Sequence, residues 1–347
     1  MNETATLCWD ADSASIRYIE QTLLPEEFRI IECRDVGRLA TAIRRLEIRG
    51  APALGVAGAY GTALAAASCR ETDMHGFMEA VHRDAEVLRA TRPTAINLGW
   101  GIDRVLKSME AATDVAAARN LALVTAEETA REDTACCHAI GKHGARLLPD
   151  TCTVLTHCNA GALACSSWGT ALGVIRSAVN AGKQVSVIAC ETRPLLQGAR
   201  LTAWELSRDG IDVTVITDSA AASIMRKGRI DAVIVGADRI TRDAVFNKIG
   251  TYMHAVSARH HAIPFYVAAP LSTFDEKNLE QDVIIEERGR EEMSLVGNRT
   301  VVPDAARVKN LAFDATPLDL ITAVITELGV FRPPLDIGSL LSLKSTK

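Results

Sequence analysis

From Thr151 onward, short apolar runs alternate with helical ones, and this alternation constrains the fold more than any other feature of the chain. Strands are predicted over residues 153–157, 185–190, 212–217, 232–236, 265–269 and 311–314. Helices are predicted between most of them, over residues 162–181, 195–209, 220–227 and 246–261. Strands that alternate with helices in this way pair in parallel, with helices covering both faces. The expected class is α/β, built on a doubly wound parallel sheet.

Ligands of an open parallel sheet lie in the crevice beyond the strand C-termini. The residues that follow each predicted strand are therefore the first candidates for chemistry. Cys158 and Asn159 follow the first strand, and the helix predicted over residues 162–181 opens just beyond them. The dipole and uncovered N–H groups of a helix N-terminus favour a thiolate. Glu191, Thr192, Arg193 and Pro194 follow the second strand, with Gln197 in the next helix; Asp218 and Ser219 follow the third. Asp238 and Arg239 follow the fourth, after the apolar run Ala232 to Ala237, and Asn247 and Lys248 open the next predicted helix. Desolvation in apolar surroundings keeps a carboxyl protonated, so Asp238 is a candidate acid. A helix cap or an ion pair with Arg239 is the competing reading of Asp238. His157 should point to the opposite side of its strand from Cys158, so the two are not expected to form a nucleophile–base pair. No trio of side chains has metal-ligand spacing, and neither a dinucleotide fingerprint nor a phosphate-binding P-loop sequence occurs. No metal or other cofactor is expected.

A length of 347 residues suggests two domains. The net charge of −5, without a basic run, speaks against a nucleic-acid partner. Arg, Glu or Asp interrupts the longest apolar stretches well short of a membrane span. The opening MNETATLCWDAD lacks the basic and apolar regions of a signal peptide. Five of the nine cysteines fall between Cys136 and Cys165 without paired spacing, which points to free thiols in a reducing compartment and a cytoplasmic protein.

The N-terminal part reads differently. Residues 15–19 and 28–31 alternate like strands of a small antiparallel sheet, with a turn at Pro25-Glu26. Asp35 is placed to cap a helix carrying Leu39, Ala42, Ile43 and Leu46 on one face. In RGAPALGVAGAYG, Pro52 suits the first turn of a helix, so Gly50 and Ala51 leave N–H groups uncovered beside Arg49. That combination binds anions. The alternative is close packing of a small-residue helix, which Gly55, Gly58 and Gly61 favour. A helix over residues 74–88 breaks at Thr91-Arg92-Pro93-Thr94, before another that starts at Ile96. Arg92 stands at that loop-to-helix junction, and a solvated or capping role is its competing reading. An Ala-rich stretch over residues 111–148 links the two parts. The expected domains are residues 1–125, helical with a small sheet, and residues 126–347. The only low-complexity stretch is the polar tail from Ser339 to Lys347.

Several long motifs resemble one family: RGAPALG at Arg49, RPTAINL at Arg92, THCNAGALA at Thr156, ETRPLLQGARLTAWEL at Glu191, VIVGADRI at Val233, NKIGTY at Asn247 and PFYVAAPLSTFD at Pro264. Through them the chain resembles the methylthioribose-1-phosphate isomerases, whose wider family includes the regulatory subunits of translation initiation factor 2B. The resemblance implies a Rossmann-like C-terminal domain, a homodimer, a sugar-phosphate substrate and no metal. It also implies that Cys158 and Asp238 are the catalytic pair, with Arg49, Gly50, Ala51, Arg92, Gln197, Asn247 and Lys248 at substrate-binding positions. Two departures bear on the substrate. The segment RITRDAVF before Asn247 is one residue shorter than is usual, and Leu98-Gly99-Trp100-Gly101 replaces a bulkier sequence. A 5-deoxyribose 1-phosphate or ribose 1,5-bisphosphate therefore stays open as substrate, as does a non-catalytic regulatory role.

Overall fold

A computed structural model describes residues 5–93 and 95–345. Met1 to Thr4, Thr94 in the Arg92 loop, and the last two residues of the polar tail lie outside them. The chain divides into two compact units. One comprises residues 1–138 and 161–169; the other comprises residues 139–160 and 170–347.

The first unit opens with an antiparallel meander of Leu7–Asp10, Ser15–Ile19 and Ile30–Cys33. Asp35 caps the helix Val36–Arg44, its carboxylate accepting from the Arg38 amide at 2.7 Å. The helix Ala51–Ser68 is buried on every side from Ala53 to Ala66, so no polar face marks it in the sequence. Glycines let the neighbouring helix Ile96–Met109 come close, because a Cβ on Gly101 would collide with the Gly55 carbonyl oxygen. Met74–Arg89 and the N-terminal part of Val115–Ala145 complete the unit.

The second unit is built on a seven-stranded sheet. Its strands, edge to edge, are Gly329–Phe331, Ala323–Thr326, Phe265–Ala268, Ala232–Val235, Thr151–Thr156, Gln184–Cys190 and Val213–Ile216. All pair in parallel except Gly329–Phe331, which is antiparallel to its neighbour. The α/β class and the doubly wound parallel sheet are thus as expected.

Three local expectations fail. Residues 162–181 do not form one helix: Ala162–Ala164 is a single 3-10 turn, and the α-helix is Ala171–Asn180. Trp168 and Gly169 adopt positive φ and break it, while residues 161–169 are anchored in the first unit. Thr6 donates to the Ala162 carbonyl at 2.6 Å, Gln21 donates to the Leu163 carbonyl, and Trp168 stacks on His138. Asn247 and Lys248 do not open a helix either. They end the strand Ala244–Lys248, which pairs with Arg239–Ile240 and with Phe313–Pro317, and the helix begins at Thr251. The β-branched and aromatic run Val245-Phe246 suits a strand, and Gly250, at φ 105°, starts the helix only beyond it. The strand expected over residues 311–314 therefore belongs to this small sheet; the last parallel strand is Ala323–Thr326. Most of the polar tail lies within the helix Ile337–Ser345.

Candidate active site

In chain order the six parallel strands lie 3-2-1-4-5-6 across the sheet. The order reverses between the first, Thr151–Thr156, and the fourth, Ala232–Val235. Crossovers leave in opposite directions there, which opens a crevice at the C-terminal edge. Cys158 lies two residues beyond the first strand and Asp238 three beyond the fourth. The turns that carry them touch, since a Cβ on Gly236 would lie 2.7 Å from the Ala160 Cβ. Two residues far apart in sequence are thereby brought to the two sides of the switch point, and both are partly exposed.

Cys158 is held through its backbone. Its φ is 64°, a left-handed conformation that is costly for a residue with a side chain. Two buried threonines secure it. The Cys158 amide donates to Thr192 Oγ1 at 2.8 Å, and Thr202 Oγ1 donates to the Cys158 carbonyl at 2.6 Å. Thr192, itself at φ 67°, is fixed by its amide donating to Asp218 at 2.8 Å. Thr202 lies in the π-helical turn Gly198–Thr202, an irregularity frequent at functional sites. Asn159 Nδ2 donates to Thr202 Oγ1 and to Glu205, which also accepts from the buried Arg176 at 2.8 Å. The helix expected just after Cys158 begins only at Ala171, so its dipole cannot favour a thiolate there.

Among the remaining candidates, Gln197 is buried and its Oε1 has no hydrogen-bond partner in the protein. Such an orphan acceptor beside the Cys158 turn suits a ligand hydroxyl. Asp238 is positioned by its amide donating to the Phe246 carbonyl at 2.8 Å, while Arg239 pairs with Asp275 at 3.1 Å. Asn247 donates to Thr251 Oγ1 at 3.0 Å. The buried Lys248 donates to the Ala312 carbonyl at 2.9 Å, with its ammonium over the Phe313 ring. Cys158, Gln197, Asp238, Asn247 and Lys248 all belong to the second unit.

Arg49, Gly50, Ala51 and Arg92 belong to the first. Gly50 is the N-cap of Ala51–Ser68 with no side-chain cap, as the Pro52 signal implies. Its φ is 97°, and a Cβ there would lie 2.5 Å from the Ala164 backbone, so only glycine fits. Arg92 lines a groove of about 620 Å³ together with Arg89, Trp100, Arg104 and Lys107.

One cluster is invisible in the sequence. His157, Cys190, Asp218 and His254 come from four separate segments, yet their potential ligand atoms all lie within 4.8 Å of one another. Spacing along the chain does not reveal this group, because the fold assembles it from distant segments. His157 Nε2 is 2.8 Å from the Ile249 carbonyl and its Nδ1 is 3.2 Å from His254 Nε2. A carbonyl only accepts, so the proton of His157 is on Nε2, and His254 donates to Nδ1. Both rings are neutral: burial drives His157 down to about 4, and burial followed by the neighbouring His157 drives His254 down to about 3. With both nitrogens engaged, His157 is not a base for Cys158.

Comparison with known proteins follows the same lines. The model of the initiation factor 2 subunit family matches residues 47–333. A methylthioribose-1-phosphate isomerase of Syntrophotalea carbinolica is 51% identical, covering 91% of this chain and 93% of the relative. A 5-deoxyribose 1-phosphate isomerase of Moorella thermoacetica is also 51% identical, covering 92% of each chain. Among solved structures, a 5-methylthioribose 1-phosphate isomerase of Pyrococcus horikoshii OT3 superposes with a TM-score of 0.91 at 41% identity, covering 99% of this chain and 96% of the other. A protein of A. fulgidus described as translation initiation factor eIF-2B, subunit delta, superposes at 0.88 with 53% identity, covering 98% and 99%.

Proposed function

The chain belongs to the initiation factor 2 subunit family, and within that family we propose that it converts 5-methylthio-α-D-ribose 1-phosphate to 5-methylthio-D-ribulose 1-phosphate, a step of methionine salvage. The class of reaction is aldose–ketose isomerisation of a sugar phosphate. One observation supports it above the rest: Cys158 and Asp238 follow the two strands that flank the switch point, on turns that touch.

The residues suit the chemistry. A phosphate on the anomeric carbon locks the sugar ring, so no free aldehyde is available. Asp238, protonated, donates to the ring oxygen and opens the ring. Hydrogen then moves from carbon 2 to carbon 1, with Cys158 relaying a proton or stabilising charge. Gln197 Oε1 accepts a sugar hydroxyl. By the resemblance, Arg49, Gly50, Ala51, Arg92, Asn247 and Lys248 are substrate-binding residues; cationic side chains and the uncovered amides of a helix start suit a phosphate. The enzyme works as a homodimer in the cytoplasm; no helix among the described residues is long and apolar enough to cross a membrane.

The relative from Moorella thermoacetica keeps a 5-deoxyribose 1-phosphate substrate in view, and the A. fulgidus structure keeps a non-catalytic subunit in view. A parallel turnover assay on methylthioribose 1-phosphate, 5-deoxyribose 1-phosphate and ribose 1,5-bisphosphate separates them. The highest kcat/KM should belong to the methylthio sugar. A higher value for another sugar reassigns the substrate, and no turnover of any of the three sinks the enzyme reading.

A further inference from the structure

We propose that His157, Cys190, Asp218 and His254 form a binding site for one divalent cation of the zinc class, behind the turn that carries Cys158. His157 Nδ1 and His254 Nε2 are 3.2 Å apart. A tetrahedral ion with bonds of about 2.0 Å spaces two nitrogen ligands roughly 3.3 Å apart. Asp218 Oδ1 lies 3.8 Å from His157 Nδ1, and all four donor atoms fall within 4.8 Å. His157 follows the first parallel strand, Cys190 ends the second, Asp218 opens the turn after the third, and His254 lies on the helix Thr251–His260. The sheet thus sets the separation of the first three, and the helix Thr251–His260 supplies the fourth.

The donor set suits such an ion. Two imidazoles, a thiolate and a carboxylate combine the nitrogen, sulfur and oxygen ligands that zinc accepts. One thiolate and one carboxylate also neutralise a divalent charge, and burial demands a neutral site. The contact of His157 Nε2 with the Ile249 carbonyl is the kind of outer hydrogen bond that aims a ligating imidazole. Asp218 already accepts from the Thr192 and Arg193 amides, but each carboxylate oxygen keeps a further lone pair.

A second observation is independent of the distances. His254 is fully buried, and its Nδ1 has no partner. An apolar residue would fill that helix position without leaving a polar atom bare. Because Nδ1 is unbonded, the ring can carry its proton there instead of on Nε2 without breaking a bond at Nδ1. That frees the Nε2 lone pair for the ion. Binding then releases one proton, from the Cys190 thiol to solvent, and no electrons are transferred. The ion joins the end of the first strand, the turn that positions Thr192, and the helix Thr251–His260. It pins the floor of the Cys158 turn and takes no part in the isomerisation, in keeping with a metal-free reaction.

The test uses the full chain, stripped with chelator and dialysed against zinc or cobalt(II). Elemental analysis should find one zinc per chain in the wild type and its loss in His254→Leu. The melting temperature should rise with zinc in the wild type alone. The cobalt form should show a thiolate-to-cobalt charge-transfer band that disappears in Cys190→Ser and persists in Cys158→Ser, which identifies the sulfur. If Cys190→Ser does not fold, persistence in Cys158→Ser and loss in His254→Leu carry the same information. The proposal is overturned if the wild type retains no more zinc than His254→Leu, or if the band vanishes with Cys158.

Discussion

Cys158 and the pair Cys137 and Cys165 are placed by different means. Cys137 is fully buried, and its thiol is pushed well up, first by its hydrogen bond with Cys165 and then by burial. Packing holds these two thiols, and packing makes them inert. Cys158 is partly exposed and is held by its main chain, in a left-handed conformation fixed by the hydroxyls of Thr192 and Thr202. The contrast teaches where to look for a working cysteine. A thiol that must meet a ligand cannot be surrounded by side chains, so its position has to be set through backbone amide and carbonyl groups.

Substitutions put this contrast to the test. The largest effect is expected at the thiol: Cys158→Ser should lower kcat by about 10²–10⁴-fold, the range for loss of a proton-transferring group. Cys137→Ala should leave kcat within a few-fold. Equal losses in a turnover assay would erase the distinction.

The next effect concerns the histidines behind Cys158. In metal-free protein their pKa values are depressed from 6.5 to about 4 and about 3, so the folded state excludes protons that the unfolded chain binds. Their contribution is complete above pH 6.5 and is lost as pH falls toward 4 and then 3. Between pH 6.5 and 4 one such group is worth roughly 3 kcal/mol. Chemical denaturation across that range should show a shallower decline in His254→Leu than in the wild type; parallel curves would remove His254 from the acid transition.

Thr202→Val comes third. It removes the hydroxyl that bonds both the Cys158 carbonyl and Asn159, so stability should fall by about 1–3 kcal/mol. kcat should fall with it while KM changes less, because the turn loosens near the reacting atoms. A loss of stability with kcat unchanged would make Thr202 purely structural. The smallest effect is expected at Cys165→Ala, about 1 kcal/mol of stability with unchanged kinetics.

Much of this arrangement is legible in the sequence where a signal is local. Asp35 and Pro52 read correctly because capping and first-turn geometry involve neighbouring residues only. Five of the six parallel strands read correctly because they are short, largely apolar runs; the sixth, Ala323–Thr326, does not stand out in the sequence. The stretch after Gly161 misled because Ala-Leu-Ala is a good helix former, and its actual partners, Thr6 and Gln21, lie far away in sequence. The Ser166-Ser167-Trp168-Gly169 cluster was the available warning. Asn247 and Lys248 read as helical because Phe246 fits either period; their strand depends on pairing with Phe313–Pro317. The histidine cluster draws on four segments, and no spacing along the chain encodes it.

The most direct measurement follows methylthioribose 1-phosphate through Asp238→Asn, with turnover read by phosphorus NMR and binding by calorimetry. The amide keeps the shape of the carboxyl and removes only its transferable proton. Catalysis across the switch point predicts that sugar-phosphate binding stays within a few-fold of wild type while turnover is lost. Turnover at the wild-type rate would show that Asp238 is not the acid and that the pairing of Cys158 with Asp238 does not carry the reaction.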